Sequence, residues 1–117
     1  MSTVMIVDND QATARLLQML LELEGFTVVA VTIGLQAVGQ ALQTPPDLFV
    51  LDYRLDDTDG LQLTTQLRAH PQFAHVPIIM TSGMDVAREA QQVGVNTFLA
   101  KPLDPRELLA TMRTLLG

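Results

Sequence analysis

Asp8, Asp52, Ser82 and Lys101 each stand at or near the end of a short apolar run. Val4-Met5-Ile6-Val7 leads to Asp8, Leu48-Phe49-Val50-Leu51 to Asp52, Ile78-Ile79-Met80 to Thr81-Ser82, and Phe98-Leu99-Ala100 to Lys101. Apolar runs of this length without alternation suit strands buried on both faces of a parallel sheet. Open α/β sheets bind ligands at the carboxyl ends of their strands. Parallel alignment of the four runs would therefore gather two carboxylates, a hydroxyl pair and an ammonium at one edge. That set of groups suits a divalent cation and a phosphoryl group.

Taken singly, each group has a structural use as well as a chemical one. Asp52 opens the loop Asp52-Tyr53-Arg54-Leu55-Asp56-Asp57-Thr58-Asp59-Gly60. Its carboxylate can act as a nucleophile that takes up a phosphoryl group as an acyl phosphate; a lone strand-end aspartate more often caps a turn. Asp8 and Asn9, together with Asp52, can supply oxygen ligands to Mg²⁺, which is typically held by one or two carboxylates plus water and phosphate oxygens. Asp10 reads either as a supplementary ligand or as the N-cap of the helix that follows. Side chains alternate along a strand, so only one of Thr81 and Ser82 faces the phosphoryl group. Lys101 is the only lysine of the chain and sits between Ala100 and Pro102. Surface solubilisation explains it poorly; a placed point charge that offsets a phosphoryl group explains it better.

The elements that must position these groups read as five strand–helix units in one domain of 117 residues. The strands are Thr3 to Val7, Thr27 to Val31, Leu48 to Leu51, Pro77 to Thr81 and Thr97 to Ala100. The first helix runs from about Gln11 to Glu24, rich in Leu16, Leu17, Leu20, Leu21 and Leu23, and is closed by Gly25. The second runs from about Leu35 to Gln43 and stops before Pro45-Pro46. The third runs from about Gly60 to Ala69. A short fourth helix after Asp85 carries Val86, Ala90 and Val93 on one face. The last opens with Asp104-Pro105-Arg106-Glu107, an N-cap with proline at the first helical position and glutamate at the capping-box position. Its core face is Leu108, Met112 and Leu115. Strict alternation with short connections predicts an α/β fold: a doubly wound parallel sheet with right-handed crossovers and helices on both faces.

Composition narrows the function. Hydrophobic residues make up 48% of the chain and aromatics 4%, so aliphatic side chains fill the core. The net charge of −6 argues against direct binding of nucleic acid, whose usual footprint is a basic face. No apolar run approaches the roughly 18 residues of a membrane span. With no signal-peptide pattern, a cytoplasmic location and no membrane association are expected. His70 and His75 read as loop surface, and the six methionines as core fillers.

On the pieces Val7-Asp8-Asn9-Asp10, Asp52 with the loop to Gly60, Pro77-Ile78-Ile79-Met80-Thr81-Ser82-Gly83 and Lys101-Pro102, the chain resembles the receiver domain of two-component response regulators over residues 1–117. The resemblance implies a flavodoxin-like sheet of order 2-1-3-4-5 with five helices. It implies a non-enzymatic phosphoacceptor module that takes a phosphoryl group on Asp52, with Mg²⁺ as cofactor. The metal would be held by Asp8, Asn9, Asp52 and the backbone carbonyl of Arg54; Ser82 and Lys101 would contact the phosphoryl group. Ser82 and Phe98 would be the switch residues, recasting the face made by the fourth helix, fifth strand and fifth helix. The implied partners are a histidine kinase or histidine phosphotransfer protein, a downstream protein or fused output domain, and a second copy through that switching face. A cis Lys101–Pro102 bond is also implied.

The chain departs from the family pattern in several places. Receivers usually carry two adjacent acids after the first strand; here the second, which typically ligates the metal, is Asn9. Loss of that charge should weaken Mg²⁺ binding by about 1–3 kcal/mol. The proline usual four residues after the phosphoacceptor is Asp56, which makes the loop less rigid and more acidic. Arg54 and Met84 occupy two places that tune phosphoryl lifetime, and Met84 cannot orient an attacking water. Two other readings stand beside this one. A pseudo-receiver would be a phosphorylation-independent interaction domain, with Asn9 as its main support. A flavodoxin-like cofactor binder needs a Gly/Ser/Thr-rich loop where this chain has Asp8-Asn9-Asp10.

Overall fold

The apolar runs pair side by side. Thr3–Val7 (β1), Thr27–Val31 (β2), Leu48–Asp52 (β3), Ile78–Ser82 (β4) and Thr97–Ala100 (β5) form one sheet in the order β2-β1-β3-β4-β5, with every neighbouring pair parallel. The computed structural model describes residues 2–117; Met1, where the expected domain begins, lies outside the described residues. β3 and β4 are buried along their whole length and β1 over all but its first residue. Burial on both faces is the reason these strands show no alternation in sequence. β2 lies at an edge and exposes Thr27 and Ala30.

Two cores sit on opposite faces of the sheet. Val4, Ile6, Leu48, Val50, Ile79 and Leu99 pack against Gln11–Leu23 (α1) and Pro105–Leu116 (α5). Met5, Val7, Phe49, Leu51, Ile78 and Met80 pack against Ala37–Gln43 (α2), Gly60–Ala69 (α3) and Ala87–Val93 (α4). Odd and even residues of each strand thus go to different cores, as the two-residue period of a strand requires. Phe49 meets Phe73 edge-on, with ring centroids 5.6 Å apart.

The helices end where local chemistry ends them. Beyond Leu23 the Gly25 N–H donates to the Glu22 carbonyl and the Phe26 N–H to the Leu21 carbonyl, the paired bonds of a Schellman closure. α3 stops at His70, whose extended backbone is the conformation favoured before Pro71. In α5, Leu108 and Met112 are fully buried and Leu115 partly so. Asp104 caps α5 by accepting from the Arg106 N–H at 2.9 Å; the reciprocal bond of a capping box, from the Asp104 N–H to the Glu107 carboxylate, is not found among the described residues.

Several boundaries differ from the sequence reading, among them the start of β4, which is Ile78 and not Pro77. β3 and β4 each reach one residue further, into Asp52 and Ser82, because polar residues at a strand's end keep the ladder although they end the apolar run. The second helix begins with a 3-10 turn at Gly34–Gln36 before α2 proper. On α1, Leu17 and Leu21 are buried, whereas Leu16, Met19 and Leu23 face outward.

Candidate functional site

β3 delivers Asp52 to the carboxyl edge of the sheet, in register with Thr81 of β4. Asp8 directly follows β1, and its N–H is held by the Val31 carbonyl at 3.0 Å. The two carboxylates are buried, at 4% and 7% exposure. Lys101, just beyond β5, places its Nζ 3.2 Å from Asp52 Oδ2. One ammonium therefore serves two buried acids. Burial pushes the Asp8 carboxyl above its usual 3.8; the Asp10 N–H, donating to Oδ1 at 2.9 Å, opposes the rise, and the charge of Asp52 adds to it.

Backbone bonds fix these strand ends. The Tyr53 N–H donates to the Thr81 carbonyl at 2.9 Å, the Lys101 N–H to the Ser82 carbonyl at 2.8 Å, and the Gly60 N–H to the Tyr53 carbonyl at 2.8 Å. A Cβ on Gly60 would stand 2.8 Å from the Asp52 carbonyl oxygen and 3.0 Å from Met80 Cε. Only glycine lets the start of α3 lie this close to the strand. Asp59 caps α3 by accepting from the Gln62 N–H at 2.9 Å. Over Asp52 opens a cleft of about 560 Å³, lined among others by Asn9, Arg54, Asp56 and Asp59.

The other expected site residues fall around this edge. The Asn9 amide nitrogen donates to Asp56 Oδ1 at 2.9 Å. Asp10 is engaged as the cap of α1, accepting from the N–H groups of Ala12 at 3.0 Å and Thr13 at 3.4 Å and from the Thr13 hydroxyl at 3.0 Å. The Thr13 hydroxyl, followed by its N–H, holds the Asp10 carboxyl below the usual range. Of the two readings of Asp10, the structure shows the cap.

Thr81 and Ser82 diverge as alternation requires. Thr81 lines an apolar groove of about 270 Å³ with Asp8, Lys101, Leu16 and Pro102. The Ser82 hydroxyl oxygen instead accepts from the Met84 N–H at 2.9 Å. Phe98 is half-buried against the α2–α4 core and borders a groove of about 300 Å³ with Ala90, Gln91 and Val95. The Lys101–Pro102 bond is cis. Arg54 Nη2 donates to Met84 Sδ at 3.1 Å, so the two positions that the resemblance links to phosphoryl lifetime touch. His75 is exposed and His70 half-exposed, both in the connection between α3 and β4.

The site also uses residues that the sequence reading did not assign. Asp57 accepts from the N–H groups of Gly34 at 3.1 Å and Leu35 at 2.9 Å, joining the loop after β3 to the turn that precedes α2. Asp56 meets Asn9 across 47 positions of sequence, a pairing for which no local pattern gives a signal.

Among the described residues no group of three or more His, Cys, Asp and Glu side chains is arranged to hold a metal ion. The edge offers two acids, one amide and backbone carbonyls. Oxygen donors with few charges fit Mg²⁺, which keeps much of its water, better than a cation that needs a full protein cage. The excess of buried carboxylate over ammonium is what a cation would relieve.

The family model of the response regulator receiver domain matches residues 4–113. This chain belongs to that family. It is 36% identical over 117 residues to the transcriptional regulatory protein GltR of Pseudomonas aeruginosa, covering 97% of this chain and 48% of GltR. It is 32% identical over 119 residues to the DNA-binding dual master transcriptional regulator RpaA of Synechocystis sp., covering 99% of this chain and 49% of RpaA. The chain thus spans about half the length of these two relatives. The crystal structure of a putative response regulator from Chloroflexus aurantiacus superposes with a TM-score of 0.92 at 32% identity, over 98% of this chain and 97% of that one.

Proposed function

We propose that the chain is a phosphoacceptor signalling module in which Asp52 is phosphorylated. The observation that carries this reading is the buried pair Asp8 and Asp52 at the strand ends, with Lys101 Nζ 3.2 Å from Asp52. A histidine kinase or histidine phosphotransfer protein is the donor. An Asp52 carboxylate oxygen attacks phosphorus, the P–N bond to the donor imidazole breaks, and the imidazole leaves with the bonding pair, so Asp52 becomes an acyl phosphate. Asp8, the Asn9 amide oxygen, Asp52 and the Arg54 carbonyl would hold Mg²⁺, which supplies charge neutralisation for the phosphoryl oxygens.

Lys101 leaves its pairing with Asp52 for the new phosphoryl oxygens. Ser82 gives up the Met84 N–H and turns its hydroxyl to the same group. Phe98, half-buried beside a groove, has room to change its packing, and the face of α4, β5 and α5 changes with it. That face would meet a downstream protein, a fused output domain or a second copy. The chain's place would be the cytoplasm, where a kinase can reach it.

Beryllofluoride with Mg²⁺, added to the ¹⁵N-labelled chain, is expected to shift amides around Asp52, Ser82 and Phe98, while Asp52→Asn stays silent. A response of equal size in Asp52→Asn would move the nucleophile elsewhere. Asn9 favours a second reading, a phosphorylation-independent interaction domain. Under that reading Mg²⁺ titration leaves the amides of Asp8, Asn9 and Asp52 unmoved.

A further inference from the structure

The two departures from the family pattern, Asn9 and Asp56, are hydrogen-bonded to each other, Nδ2 to Oδ1 at 2.9 Å. A carboxylate can only accept, so the end of the amide that faces it must be the NH₂ group. Fixing that end also fixes the other: Oδ1, the only side-chain atom of Asn9 able to ligate a hard cation, is held away from Asp56. An unrestrained asparagine would present nitrogen or oxygen with similar ease, and its NH₂ end repels a cation. An aspartate at this place would need no such control, because its two oxygens are equivalent. Both residues line the cleft above Asp52, and Asp56 brings to it a negative charge that the usual proline would not.

We infer that Asp56 is the positioning residue of an amide-adapted Mg²⁺ site. It turns the Asn9 oxygen to the cation and returns from the loop after β3 part of the charge lost from the loop after β1. This rests on the phosphoacceptor reading and its metal. It gives the Asn9–Asp56 pair a role that neither residue suggests alone: two substitutions that together keep a hard-oxygen site. Partners that orient a metal ligand commonly change affinity by about ten- to a hundredfold when removed. Asp56 is exposed and acts on one ligand of several, so the low end of that range is expected.

The test is a Mg²⁺ titration, followed through the Asn9 side-chain amide and the backbone amides of Asp8 and Asp52, on wild type, Asp56→Asn, Asp56→Ala, Asn9→Asp and the double variant Asn9→Asp/Asp56→Ala. Asp56→Asn keeps an acceptor for Asn9 but loses the charge; Asp56→Ala loses both. Weakening of about tenfold in Asp56→Ala, less in Asp56→Asn, and less again when Asp56→Ala is made in the Asn9→Asp background is expected. The apo spectrum of Asp56→Ala should also show the Asn9 side-chain amide shifted. Equal weakening by Asp56→Ala in both backgrounds would overturn the orienting role, since bare charge does not depend on whether residue 9 has an amide. No change in any Asp56 variant would overturn the inference whole while leaving the metal reading intact. A wild-type chain without any Mg²⁺ response would instead remove the metal reading itself, and this inference with it.

Discussion

Asp8 is the residue whose environment is most at odds with its charge. Its carboxyl titrates above 3.8 because burial disfavours the ionised form and Asp52 stands beside it. A raised pKa in an acid means that its contribution to stability is fully present below the unfolded value and is lost as pH rises through the folded one. At neutral pH ionised Asp8 therefore works against the metal-free fold. Asp8→Asn keeps an acceptor for the Asp10 N–H and removes the charge. It is expected to raise the thermal midpoint at pH 7 in metal-free buffer, by a few degrees, and to lose this advantage well below pH 3.8, where the carboxyl is protonated in both states. Equal midpoints across that range would mean the site already neutralises Asp8. Lys101→Met is the complementary change. Lys101 is part-exposed but its partner Asp52 is buried, so loss of the ammonium should cost about 1–2 kcal/mol. The beryllofluoride response near Phe98 should shrink sharply; a full response would take Lys101 out of the switch. That Asp8, Asp52 and Lys101 gather at the edge was readable from strand-end chemistry; Arg54, Phe98 and the choice of Ser82 over Thr81 came only with the family resemblance. The Asn9–Asp56 bond was readable from neither, because it depends on how two loops fold over the edge.

At the scale of elements, the loop after β3 is joined to the turn before α2. Asp57 receives the N–H groups of Gly34 and Leu35, and a Cβ on Gly34 would fall 2.6 Å from Thr58 Cγ2 and 2.9 Å from Asp57 Oδ1. Asp57→Ala should destabilise by about 1–2 kcal/mol, most of it from the buried Gly34 N–H, and speed exchange of that amide. Unchanged exchange would show that water replaces the carboxylate at no cost. A second joint is Arg68 of α3, which donates to the carbonyls of Phe73, Val76 and Gly94 and to Asn96 Oδ1, with no carboxylate among these partners. Lysine cannot span that fan of acceptors. Arg68→Lys is expected to cost about 1–3 kcal/mol, read from denaturant unfolding. The strands and helices were largely legible because their periods are local. The 3-10 start of the second helix was not, since a partner 22 or 23 positions away sets it.

For the whole molecule, a net charge of −6 with the acids concentrated at one edge couples stability to cations. If the edge binds Mg²⁺, each tenfold rise in free Mg²⁺ above its dissociation constant adds about 1.4 kcal/mol to stability. The comparison belongs at matched ionic strength, because sodium alone screens the acids from one another. A thermal midpoint equally raised by Na⁺ and Mg²⁺ would mean screening without a site.

The order of the strands leaves the sheet with two unlike margins. β5 is followed at once by Lys101 and Pro102, a charge and a residue without an N–H, both of which discourage a further strand. β2 carries the sequence Thr27-Val28-Val29-Ala30-Val31, with neither charge nor proline, and its outer row of amides faces no strand among the described residues. That margin is where chains are expected to add to one another when concentrated or warmed, so aggregation should begin there. Ala30→Lys, at an exposed position, should raise the concentration at which light scattering sets in and leave the response at Asp52 untouched.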